Sequence, residues 1–91
     1  MAMYGTTALH FAAEIGHLAV VKLLLEGRAE VNAAKENGAT ALFIAAMNDH
    51  FKVVQVLLEA GADKDAATED GATALRVASR NGHFDVVRLF R

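Results

Sequence analysis

The chain has no cysteine and no proline among its 91 residues. Without cysteine there is no disulfide framework and no thiolate to attack a substrate or hold a metal. That usage fits a reducing compartment. There is no tryptophan, and Tyr4 and Ser79 are the only residues of their kinds. Long apolar runs are missing as well: the longest is Ala41 to Met47, far short of the roughly 20 residues a membrane helix needs. No charged segment followed by an apolar one opens the chain as a secretory leader would. A soluble protein of the cytoplasm or another intracellular compartment is therefore expected. A net charge of −2 gives no electrostatic case for nucleic acid as a partner. What is abundant is apolar: 54% of residues are hydrophobic and 22% charged, which excludes a disordered segment.

Much of that apolar share is alanine, and it recurs with a period. GTTALHFAA at Gly5 returns as GATALFIAA at Gly38 and as GATALRVAS at Gly71, an interval of 33 residues each time. HLAVVKLLLE from His17 returns as HFKVVQVLLE from His50 and HFDVVRLF from His83. A fixed period in this range marks an array of stacked units, each burying its apolar face against the next. We divide the single domain, 1–91, into units of about 2–34, 35–67 and 68–91.

Within each unit Leu42, Ala45 and Ala46, with their equivalents Leu9, Ala12, Ala13 and Leu75, Ala78, Ser79, mark one face of a short helix. Thr7, Thr40 and Thr73 stand where a hydroxyl would cap its first turn. Breaks at Gly16-His17, Asp49-His50 and Gly82-His83 precede a second helix carrying Val20, Val21, Leu24, Leu25 and their counterparts. Gly61 is placed to end that helix in a left-handed conformation. Asn37-Gly38 and Asp70-Gly71 are turn signals between units.

Helix, turn, helix and projecting hairpin at this period resemble the ankyrin repeat. The family pattern G-x-T-P-L-H-x-A-A is met by Gly5 to Ala13. G-H is met at Gly16-His17, V-V at Val20-Val21, L-L at Leu24-Leu25, N-A at Asn32-Ala33 and G-A-D at Gly61 to Asp63. The match covers essentially the whole chain. It implies an all-α solenoid of helix-turn-helix units joined by β-hairpin-like loops. The departures carry information too. The family's proline is Ala8, Ala41 and Ala74, so the first helix loses a preset φ but keeps its threonine cap. The family's histidine is His10 in unit one but Phe43 and Arg76 later. Before Ala29 the family's loop glycine is Arg28, with Gly27 one position early; strain or a shifted helix end is expected there. No distinctly polar capping unit flanks the array, so end-to-end self-association through the terminal repeats is an expectation.

Few residues suggest chemistry. His17, His50 and His83 recur once per unit, but neighbouring helix pairs pack about 8–10 Å apart and zinc holds its nitrogens at about 2.1 Å. A structural role, bonding backbone, is the better reading, and no metal site is expected. Ser79 has no nucleophile–base constellation around it, so no catalytic residue is assigned. Asp63, Asp65 and Glu69 hint at calcium but lack the spacing of a calcium loop; they read as solvated turn residues. Gly5, Gly38 and Gly71 form no phosphate-binding motif. Arg76, Arg80, Arg88 and Arg91 form a late basic cluster near Glu69, Asp70 and Asp85, read as a solvated, partly paired surface. No cofactor is expected, and no nucleic acid or membrane as a partner.

The resemblance implies a partner protein docked on the concave face of hairpin tips and first helices. By position this gives Met3, Tyr4, Thr6, Glu14 and Ile15 from unit one. From unit two come Glu36, Asn37, Ala39, Met47 and Asn48, and from unit three Glu69, Asp70, Ala72, Arg80 and Asn81. Pairs one helical turn apart line up across units: His10 with Glu14, Phe43 with Met47, Arg76 with Arg80. An apolar centre flanked by polar pairs has the composition of a binding hot spot. Phe43 has a second reading, as part of the helix packing, and Met47 as a gap filler. The alternative function is a designed or consensus-like ankyrin scaffold, or an engineered binder, without a natural cellular role; an enzyme is the third class, and it lacks a reactive cluster.

Overall fold

A computed structural model describes residues 7–91. Among them are six helices: α1 (Ala8–Ile15), α2 (Leu18–Glu26), α3 (Ala41–Met47), α4 (Phe51–Glu59), α5 (Ala74–Arg80) and α6 (Phe84–Arg88). They form antiparallel pairs stacked side by side. The first helices α1, α3 and α5 make one layer, and α2, α4 and α6 the other.

Each first helix starts as its threonine dictates. The hydroxyls of Thr7, Thr40 and Thr73 accept from the backbone N–H of His10, Phe43 and Arg76. That satisfies one free donor of the first turn, the cap that the helix keeps without the proline. Helices of seven or eight residues are too short to persist alone. Tertiary packing stabilises them. Ala12, Ala13, Ala45, Ala46 and Ala78 are all buried, and their small side chains let neighbouring backbones approach closely.

Burial follows position in the stack. Leu9 and Leu42 are 3% and 1% exposed, but the equivalent Leu75 is 38% exposed. Ser79, expected on the packing face like Ala13 and Ala46, is exposed as well. Both lie on the side of α5 that no further described helix pair covers. The opposite side shows the mirror case: Phe11 is 60% exposed, whereas its equivalents Ile44 and Val77 are buried. The interior of this fold is therefore the seam between units.

The second helices end in a shared motif. In α4, Ala62 N–H donates to Leu57 O and Gly61 N–H to Leu58 O, with Gly61 at φ 90°. In α2, Ala29 and Arg28 donate to Leu24 and Leu25 in the same way, which forces Arg28 to φ 66°. The expected strain thus falls on Arg28, because Gly27, at φ −79°, arrives one residue too soon. An L-residue in this conformation costs about 1 kcal/mol or more. Arg28→Gly is expected to raise the unfolding free energy by about 1 kcal/mol, read from urea titration. An unchanged midpoint would show the loop already relaxed.

Between units the chain makes narrow hairpins. Ala34 bridges Thr40, and Ala67 bridges Thr73. Gly38 N–H closes a turn onto Lys35 O at 2.8 Å, with Gly38 at φ 86°. A Cβ there would lie 3.0 Å from Ala67 O of the next hairpin. Glu69 N–H then donates to Asn37 O at 2.9 Å, tying adjacent tips together.

The recurring histidines tie unit to unit through backbone. His50 Nε2 donates to Glu14 O at 2.9 Å, and His83 Nε2 to Met47 O at 3.0 Å. Each satisfies a carbonyl at the end of the preceding first helix, where helices leave acceptors unpaired.

Candidate functional site

An open groove of about 370 Å³ lies between the second and third units. Its floor is Phe43 and Met47 from α3 and Val77 from α5. Arg76 and Arg80 of α5 form one wall, while Asn37 and the hairpin residues Thr68 to Asp70, with Ala72, form the other. The stacking sets this arrangement. Residues one turn apart on α3 and on α5 project from the same side of the helix layer, and the hairpins stand up beside them.

Eight positions expected from the sequence meet here: Asn37, Phe43, Met47, Glu69, Asp70, Ala72, Arg76 and Arg80. Phe43 is half-buried against the core and also lines the groove. Met47 is 38% exposed. Two lining residues escaped the sequence reading. Val77 repeats Phe11 and Ile44, a position that reads as interior. Thr68 sits in the loop; its signal was the Thr-x-Asp spacing to Asp70, a side-chain turn motif.

The loop is stiffened from within. Thr68 donates its hydroxyl to the Asp70 carboxylate and accepts from Ala72 N–H at 3.1 Å. The Thr68 hydrogen bond, with smaller help from backbone N–H groups and the charge of Arg80, holds the Asp70 carboxyl below its usual range. On the neighbouring tip the Asn37 side chain accepts from Ala39 N–H at 3.0 Å.

Other expected contacts lie elsewhere. Glu14, Ile15 and Glu36 are exposed but do not line the groove. Asn48 and Asn81 are exposed too, yet their side chains are engaged: Asn48 donates to Ile44 O at 2.8 Å and Asn81 to Met47 O at 3.3 Å. Met3, Tyr4 and Thr6 lie outside the described residues. Two expectations need correction. Ala39 is buried at 3% exposure and belongs to the core, so its methyl is not available to a partner. His10 was expected to pair with Glu14 on the open face. Instead it is 2% exposed. Its Nε2 donates to Ala39 O at 3.2 Å, and its Nδ1 accepts from Thr7 N–H at 3.0 Å. The imidazole thus joins the first two units internally, and burial pushes its pKa below the ordinary value.

The late basic cluster divides. Arg88 pairs with Asp85 on α6, whereas Arg76 and Arg80 face the groove. Asp63 and Asp65 form a turn, with Asp65 N–H donating to Asp63 Oδ1 at 3.0 Å. Among the described residues no three of His, Cys, Asp or Glu are grouped to hold a metal ion, and no helix is long and apolar enough to cross a membrane.

Stacked helix pairs with projecting hairpins and an open groove define a repeat solenoid of the interaction-module class. The family model for ankyrin repeats, three copies long, matches residues 2–68 and 29–91. The chain belongs to the ankyrin repeat family. Members of this family are generally non-catalytic modules that bind other proteins. No curated protein is similar enough in sequence to add to this assignment.

Proposed function

We propose that this chain is a non-catalytic module that docks a partner protein in the groove between the second and third units. One observation carries the reading: Phe43 and Met47 present apolar surface at a solvent-facing site, framed by charged side chains on both walls. A large apolar group left in water lowers solubility and adds little to the core. Inside a polar rim it is the usual composition of a contact centre. Helix and hairpin hold these side chains in place beforehand, so a partner meets a surface with little left to order.

Photocrosslinking tests this. A benzophenone side chain at position 47 is expected to capture discrete protein adducts from cell extract, and one at Lys22, on the outer helix layer, is not. Equal adducts at both positions, or none at 47, overturn the reading. With the captured partner in hand, Met47→Ala is expected to weaken binding by about 1 kcal/mol or more, roughly fivefold. Unchanged affinity would remove Met47 as an anchor.

The end faces support a second, weaker contact. Phe11 on one side and Phe84 on the other are 60% and 70% exposed, while Ile44 and Val77, the equivalents of Phe11, are buried between units. A second copy stacked end to end would bury Phe11 as Ile44 and Val77 are buried inside the array, and would bring it toward the face that carries Phe84. Light scattering should show mass rising with concentration, and falling back with Phe11→Lys; a monomer throughout excludes it.

A further inference from the structure

Arg76 and Arg80 stand one turn apart on α5, both exposed and both lining the groove. Like charges at this spacing repel each other. Among the described residues neither guanidinium makes an ion pair; Arg88, by contrast, has Asp85. Asp70 across the groove feels the charge of Arg80, but the Thr68 hydroxyl holds it in its own loop and it forms no ion pair with either guanidinium. Two unpaired guanidiniums therefore border an apolar floor of Phe43, Met47 and Val77. The planar fork of arginine suits a carboxylate held at two points. A polyanion fits poorly, since Glu69 and Asp70 line the same groove and would repel a run of negative charges.

We propose that the groove binds a linear peptide segment carrying an aspartate or glutamate beside a large apolar side chain. The carboxylate is shared by Arg76 and Arg80, and the apolar group rests on Phe43 and Met47. This rests on the groove being the docking face, and it goes further in naming the chemistry of the occupant.

Selection from a random twelve-residue display library tests it, run against the unchanged chain and against R76E/R80E. Both arginines are exposed, so the variant should fold, which circular dichroism checks. Peptides enriched on the unchanged chain are expected to carry an acidic residue within two positions of a large apolar one. The leading peptide should lose tenfold or more in affinity on R76E/R80E, and a similar amount when its acid is made an amide. Replacing that acid by lysine should recover binding to R76E/R80E. Enriched peptides without acids that still lose binding on Met47→Asp would overturn the acidic assignment and leave the groove standing. Binders indifferent to Met47→Asp and to R76E/R80E would overturn the groove reading as well. A selection that enriches nothing overturns the linear-peptide proposal.

Discussion

Leu42→Ala should lower the unfolding free energy by about 2–5 kcal/mol, the range for a leucine removed from a packed interior. Leu42 is 1% exposed in the middle unit, at the seam where α3 meets α5. The loss has two parts: transfer of the missing carbons to water and the cavity that rigid neighbours cannot close. Leu75→Ala removes the same atoms from the same position of the third unit, where the side chain is 38% exposed. It should cost well under half as much, because the removed group was already partly hydrated. Paired denaturant titrations decide the matter. Equal losses would mean that the seam between units is not where stability resides. A small domain has about 5–15 kcal/mol in total, so Leu42→Ala alone should remove a large share of it.

His10→Ala is expected to cost about 2–3 kcal/mol at pH 8. The imidazole is neutral there and makes two hydrogen bonds in a buried place. Removing it leaves the Ala39 carbonyl and the Thr7 N–H without their partner. The loss should also depend on pH. Burial lowers the pKa of His10 from its ordinary 6.5, and its carbonyl contact offsets this only in part. The unfolded chain thus takes up a proton more readily than the folded one. Stability from His10 is complete above about pH 6.5 and declines as pH falls from there toward the folded-state value. The geometry gives the cause: a proton on Nδ1 would face the Thr7 N–H, a donor against a donor. The gap between the two proteins should narrow as pH drops from 7.5 to 5.5. A gap independent of pH would mean that His10 is held without a preference for its neutral form.

Periodicity alone carried the fold. The 33-residue interval, the threonine caps and the alternation of the two helices were legible because each reports a local requirement: a free N–H to satisfy or an apolar face to hide. The strain near Arg28 was legible too, since only glycine takes that conformation without cost. All the groove residues but Thr68 and Val77 were legible once the family resemblance marked the face, because residues at equal positions in successive units must lie side by side. The misreadings share one origin. Ala39 and His10 occupy positions that look open on a single unit, but the neighbouring helix and hairpin close over them.

Sequence by itself thus determined the repeating unit, its helices and turns, and which family it joins, since these follow from short-range requirements repeated along the chain. Only the tertiary stack decided which equivalent residues are interior and which are surface. Leu42 and Leu75 are the same residue in the same local setting, and they differ because burial depends on what packs against a position. The pairing of His10 with Ala39 and the arrangement of Arg76 and Arg80 over Met47 belong to that second kind, for they join residues from units folded one against another.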